Sequence, residues 1–369
     1  MFEPLVALES RLDAELPRPH LRGRPPDTLL ARAREWSEAV WSEAERLGPF
    51  PVSHDQIARG LDLAGRPVFV CGVHRSGTTL VRDLLDGHPA LAVLPSEGSF
   101  YTTHRDHLSA SDRSTWRHFM ACEWCRRLAN PINQLPYWLI GRSTSAYSPS
   151  VAFMRAVATW WTTAESSLSA TVSSWPLTAI ALAYASYQRE SVINPEIHRW
   201  VEKTPTNERF LNEIWRDYPE AKVVHVVRDP LAVMASRKVM EERATGQFGA
   251  FRTALGQLAD SYRIADAERA RANRARYLLI RFEELLEEPQ RTIDRLASFL
   301  DVTNLPILHR PTSGGMFTAS NSSFGAGESG AIDRSRARGA ADVLLPDERL
   351  RVAVAVGDAA GALGYAVSA

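Results

Sequence analysis

The run RPVFVCGVHRSGTTLVRDLLDGHP, residues 66–89, limits the fold of this chain more than any other stretch. A short apolar run with β-branched residues ends in glycine and leads directly into a helical pattern. Leu80, Val81, Leu84 and Leu85 share one helix face, and Gly87 and Pro89 stop it. The order is strand, glycine loop, helix.

That order recurs. KTPTNERFLNEIWRDYP is helical by Phe210, Leu211, Ile214 and Trp215, and the pattern of TPTN predicts a cap for that helix. It runs into AKVVHVVRDP, a strand carrying Val223, Val224, Val226 and Val227, after which Asp229 and Pro230 predict the N-cap and first position of a helix over 230–244. RYLLIRF (276–282) predicts a third strand, followed by the helix PQRTIDRLASFLD. Strands alternating with helices predict an α/β fold with a central parallel sheet covered on both faces.

In a Walker A loop, GxxxxGK[ST], backbone N–H groups surround phosphates while the lysine reaches the terminal ones. Gly72 to Gly77 keeps that spacing, but Thr78 stands in place of the lysine, and Arg75 is the loop's cation. The amides of Ser76, Gly77, Thr78 and Thr79 at a helix N-terminus still favour an anion. The loop reads as a phosphate or sulfate cradle without clear provision for Mg-ATP. Arg228 closes a second strand, and Ser236 follows eight residues on in RDPLAVMAS. Ligands of parallel sheets bind outside the carboxyl ends of the strands, so two anion sites on one rim suit a ligand phosphorylated at two separate positions.

The rest of the chain bounds the partners. Lys+Arg and Asp+Glu both number 43, which argues against nucleic acid or an anionic membrane as the main partner. No apolar run approaches the roughly 20 residues that span a bilayer. Three cysteines and an opening MFEPLVALES without an apolar signal region predict a cytoplasmic setting. Cys122 and Cys125 read as two ordinary cysteines one helical turn apart, since a structural zinc needs four ligands. Residues 1–65 read as an N-terminal helical extension, with Trp36 and Trp41 as core, and 66–369 as the main domain. Within it, 100–200 reads as a large helical insertion that binds substrate. The insertion includes Trp116, Trp124, Trp138, Trp160, Trp161 and Trp175, most of them expected in its core. The Gly- and Ser-rich stretch 312–341, with three close arginines, is too long for an idle connection.

On VFVCGVHRSGTTLVRDLLDGHP, WVEKTPTNERFLNEIWRDYPEAKVVHVVRDPLAVMAS, YLLIRFEELLEEP and the closing ALGY, the chain resembles the sulfotransferases that use 3′-phosphoadenosine 5′-phosphosulfate (PAPS). It is most similar to the bacterial branch and the tyrosylprotein type, in which RSGTT replaces the lysine-bearing loop. The resemblance implies a P-loop-type three-layer fold, with Arg75, Ser76, Gly77, Thr78 and Thr79 on the 5′-phosphosulfate and Arg228 with Ser236 on the 3′-phosphate. It also implies that Lys203 stands near the bridging oxygen of the leaving group, and that Arg338 closes over the 3′-phosphate, with Arg334 or Arg336 as alternatives.

The implied reaction moves a sulfuryl group from PAPS to an acceptor hydroxyl, with an amine as second choice, and the scheme calls for no metal. Some relatives use a histidine ~60 residues past the loop, but no histidine lies near 135. Others place a glutamate just after the first helix, and LPSEGSF supplies Glu97 as the base that takes the acceptor proton. His104 and His107 are second choices, and His88 is expected to support a turn. The acceptor is expected to be a small molecule, with an aromatic or natural product favoured by the aromatic insertion. The rival readings are a P-loop small-molecule kinase, for which Asp229 is the magnesium carboxylate at hand, and a family member that holds nucleotide without catalysis.

Overall fold

The computed structural model describes residues 27–94, 97–105, 149–187, 194–271, 273–319, 328–334 and 341–367. In chain order, α1 (Asp27–Arg46) and α2 (His54–Ala64) precede β1 (Pro67–Cys71), α3 (Thr78–Leu85) and β2 (Leu91–Val93). Next come α4 (Pro149–Leu168), α5 (Trp175–Tyr187), β3 (Arg199–Lys203), α6 (Leu211–Asp217), β4 (Lys222–Val227), α7 (Pro230–Thr245) and α8 (Phe251–Ala270). The remainder is β5 (Tyr277–Arg281), α9 (Phe282–Glu287), α10 (Pro289–Leu300), the short hairpin strands β6 (Thr312–Ser313) and β7 (Met316–Phe317), and α11 (Pro346–Ala362). No described helix is long and apolar enough to cross a membrane.

The chain divides into two compact units, 1–64 with 94–197 and 65–93 with 198–369. In the first, α4 packs on α5 and on α1, and Phe153, Trp160, Leu182 and Tyr184 fill the interior. The buried Trp160 indole donates to Ser186 Oγ at 2.7 Å, and Trp161 meets Trp175 edge-on with centroids 4.7 Å apart. Trp41 is buried as well. These aromatics serve packing, as Tyr and Trp do when their polar atoms find partners inside. Trp116, Trp124 and Trp138 lie outside the described residues, as do Cys122 and Cys125.

The second unit is built on a five-stranded sheet of order β2-β3-β1-β4-β5, with every neighbouring pair parallel. Its strands are largely buried because helices cover both faces. One face buries Val68, Val70 and Val224 against Val81 and Leu84 of α3 and Ile293 and Leu296 of α10. The other layer joins Val227 to Val233 of α7, Leu258 and Tyr262 of α8, and Val352 and Val356 of α11. This is the α/β architecture expected, with two strands more than the sequence predicts. LAV in β2 is only three residues long, and RWVEK in β3 carries charged residues that hide it from a periodicity argument. Glu202 is fully buried in β3 all the same, because Thr204 donates to one carboxylate oxygen and Asn207 Nδ2 to the other at 2.8 Å.

The expected TPTN cap does not form. Thr206 sits in the left-handed region (φ 68°) without a side-chain cap, and a 3₁₀ turn, Asn207–Phe210, leads into α6. The Asp229–Pro230 start does form, with Asp229 Oδ1 accepting from Ala232 N–H at 2.7 Å. His88 supports its turn as expected: Nδ1 accepts from Ala90 N–H at 3.1 Å while Nε2 lies 2.9 Å from the Thr303 carbonyl.

Candidate active site

Parallel pairing of β3, β1 and β4 brings three chain segments to one edge of the sheet. Gly72–Gly77 leaves the carboxyl end of β1, Arg228 follows β4, and Lys203 ends β3 beside Val70 of β1. Gly77 lies at φ 102° immediately before α3, and a Cβ there would come within 2.2 Å of the Phe282 ring. Only glycine satisfies both the dihedral and the contact. Arg75 also adopts a positive φ, 75°, which costs energy for a residue with a side chain.

The side chains then converge. Arg75 Nε donates to Ser236 Oγ at 3.0 Å, and Arg228 Nη1 donates to the Arg75 carbonyl at 3.2 Å. The Arg228 guanidinium lies over the Phe282 ring, 4.7 Å from its centroid, and its carbonyl accepts from the buried Tyr262 hydroxyl. Burial, together with the positive charges of Arg228 and Arg237, pushes the Arg75 pKa down to about 10. Three guanidiniums gathered in a partly buried site repel one another, and an anion placed among them relieves that repulsion. The Ser76 hydroxyl is fully buried and has no hydrogen-bond partner among the described residues.

Arg75, Gly77, Thr78, Thr79, Arg228 and Ser236 all line one pocket. Further lining residues escaped the sequence reading, among them Phe282, Asp83 and Asp333. Phe282 forms a wall and the seat of Arg228, while Asp83 and Asp333 add carboxyl groups. Asp83 lies four residues after Thr79 on α3, a helical spacing that could have flagged it. Burial raises its pKa, against the pull of Arg82, whose Nε donates to it at 2.8 Å.

Lys203 is buried at the end of β3. Glu97 belongs to the first unit, where it is half-buried just before Ser99 (φ 51°) and a π-helical turn, Phe100–His104. His104 is buried in that turn. Arg334 is exposed, whereas Arg336, Arg338 and His107 lie outside the described residues. Among the described residues no group of His, Cys, Asp or Glu is arranged to hold a metal.

The model of the sulfotransferase family matches residues 67–306, which include the loop, Lys203, Arg228, Ser236 and Phe282. The chain belongs to the sulfotransferase family. None of the curated proteins matches this sulfotransferase. Among solved structures it is similar to the sulfotransferase domain from the Synechococcus PCC 7002 olefin synthase, at 21% identity over 79% of this chain and 94% of that one, TM-score 0.47. The sulfotransferase domain from the curacin biosynthetic pathway follows at 20% identity over 82% and 98%, TM-score 0.44. Sulfotransferase STF1 from Mycobacterium tuberculosis shares 18% identity over 83% and 84%, TM-score 0.41.

Proposed function

We propose that this sulfotransferase uses PAPS as donor and transfers its sulfuryl group to a hydroxyl of a small molecule, with an amine as the second choice of acceptor. The observation that carries the reading is the joined pair of anion-holding segments: Arg75 in the loop after β1 is hydrogen-bonded to Ser236 on α7 and to Arg228 after β4. A donor with phosphates at both 3′ and 5′ positions matches two such segments meeting on one edge.

In the proposed chemistry the acceptor oxygen attacks sulfur in line, forming an O–S bond as the bond from sulfur to the 5′-phosphate oxygen breaks. Adenosine 3′,5′-bisphosphate leaves with the electron pair. The loop amides, Ser76 and Arg75 hold the 5′ end and offset the negative charge that grows on it, and Lys203 adds a cation beside the bridging oxygen. Arg228 and Ser236 hold the 3′-phosphate. Glu97 takes the acceptor proton. Cytoplasmic location and closure by Arg338 belong to the same proposal.

The kinase alternative loses support because its magnesium ligand is engaged elsewhere: the Asp229 carboxylate caps α7. The deciding assay incubates the protein with labelled PAPS and a panel of phenols, alcohols, glycans and amines. Acceptor-dependent release of adenosine 3′,5′-bisphosphate, with a sulfated product by mass spectrometry, is the expected result.

A further inference from the structure

Gly72, where β1 turns into the loop, has both of its backbone polar atoms held by the segment that follows β3. Its carbonyl accepts from Thr206 N–H at 3.1 Å, and its N–H donates to Glu208 Oε2 at 2.9 Å. Glu208 is 1% exposed and sits in the 3₁₀ turn that replaces the expected cap. Gly72 also has φ 136°, and a Cβ there would lie 2.2 Å from the Val226 carbonyl oxygen and 2.8 Å from Ser76 Oγ. The residue is thus wedged between β4 and Ser76, whose buried hydroxyl has no partner among the described residues.

Burial raises the Glu208 pKa, and the Gly72 N–H pulls it back. A buried carboxyl close to an anion site works against the ligand when ionised, so its contribution must come through geometry. We propose that Glu208 is a positioning residue for the anion loop: by accepting from Gly72 N–H, it fixes where the loop amides and the Ser76 hydroxyl stand before the donor arrives. The proposal rests on the reading that the loop holds the donor's 5′ anion. An amide oxygen in place of the carboxylate preserves the acceptor, while a side chain one methylene shorter withdraws it.

The test compares Glu208→Gln, Glu208→Asp and Glu208→Ala at a temperature where each variant is folded. Two quantities are read: hydrogen exchange of a peptide covering 72–79 in the ligand-free protein, and the Kd for adenosine 3′,5′-bisphosphate. In Glu208→Ala, exchange in that peptide rises and affinity falls, each about tenfold, with Glu208→Asp changed in the same direction. Glu208→Gln stays within about threefold of wild type on both. Wild-type values in Glu208→Ala overturn the proposal, as does a Glu208→Gln variant as impaired as Glu208→Ala, or an exchange increase spread evenly over the chain. Should Glu208→Ala fail to fold, Glu208→Asp decides by the same criteria. If wild-type protein does not bind the bisphosphate, the donor reading fails separately, and the exchange pattern still decides the role of Glu208.

Discussion

The Arg75 guanidinium and the Ser236 hydroxyl are hydrogen-bonded at 3.0 Å, which links the loop after β1 to the helix after β4. Two segments 161 residues apart in sequence thereby meet on a single edge of the sheet. On the proposed reading, Ser236 recognises the 3′-phosphate. Ser236→Ala is therefore expected to weaken adenosine 3′,5′-bisphosphate binding about tenfold and to leave adenosine 5′-phosphate binding little changed, as measured by calorimetry. Equal losses for both nucleotides would remove the 3′ assignment.

Lys203 is proposed to act on charge that develops only as the leaving group departs. Lys203→Ala should lower kcat about 100-fold or more while the bisphosphate Kd changes only a few-fold. Steady-state kinetics paired with calorimetry separates the two effects. A variant with normal turnover takes Lys203 out of the mechanism.

The proposed base gives a different signature. Glu97→Gln keeps shape and hydrogen bonding but cannot accept the proton, so turnover is expected to fall by about 100-fold or more with melting temperature unchanged. Full activity in that variant would shift attention to His104 or His107.

Much of this edge was legible in the sequence because it is local. The loop, Arg228 with Ser236, and the Asp229–Pro230 helix start each announce themselves within a dozen residues. The helix α1 is likewise visible by apolar spacing. What escaped depends on long-range contact. Glu208 reads as a surface glutamate in TNERF, yet its partner Gly72 lies 136 positions away. Phe282 reads as one more apolar residue after β5 until its ring is found against Gly77. β3 was hidden by Glu202, a charge that is tolerated inside the sheet only because Thr204 and Asn207 satisfy it.

His225, in the middle of β4, gives the fold a pH dependence. It is completely buried, with Nδ1 2.6 Å from the Tyr277 hydroxyl and Nε2 2.9 Å from Ser261 Oγ, and burial pushes its pKa down to about 3. In the unfolded chain the imidazole titrates near its ordinary value of about 6.5, so below that pH the unfolded state binds the extra proton. The stability held by the neutral ring is fully present above about pH 6.5 and is lost as pH falls toward 3. Between pH 7 and pH 5 this amounts to about 2 kcal/mol. Urea unfolding at both pH values should show that loss in wild type and a smaller one in His225→Gln; identical slopes would contradict it.

The central claim is that the edge formed by Arg75, Ser76, Arg228 and Ser236 binds a nucleotide carrying both 3′ and 5′ anions. Thermal unfolding with adenosine 3′,5′-bisphosphate and with ATP tests it most directly. At bisphosphate about 100-fold above Kd, the melting temperature should rise on the order of 5 °C, and by clearly less with ATP at the same concentration. Equal shifts with the two nucleotides, or no shift with either, would contradict the account.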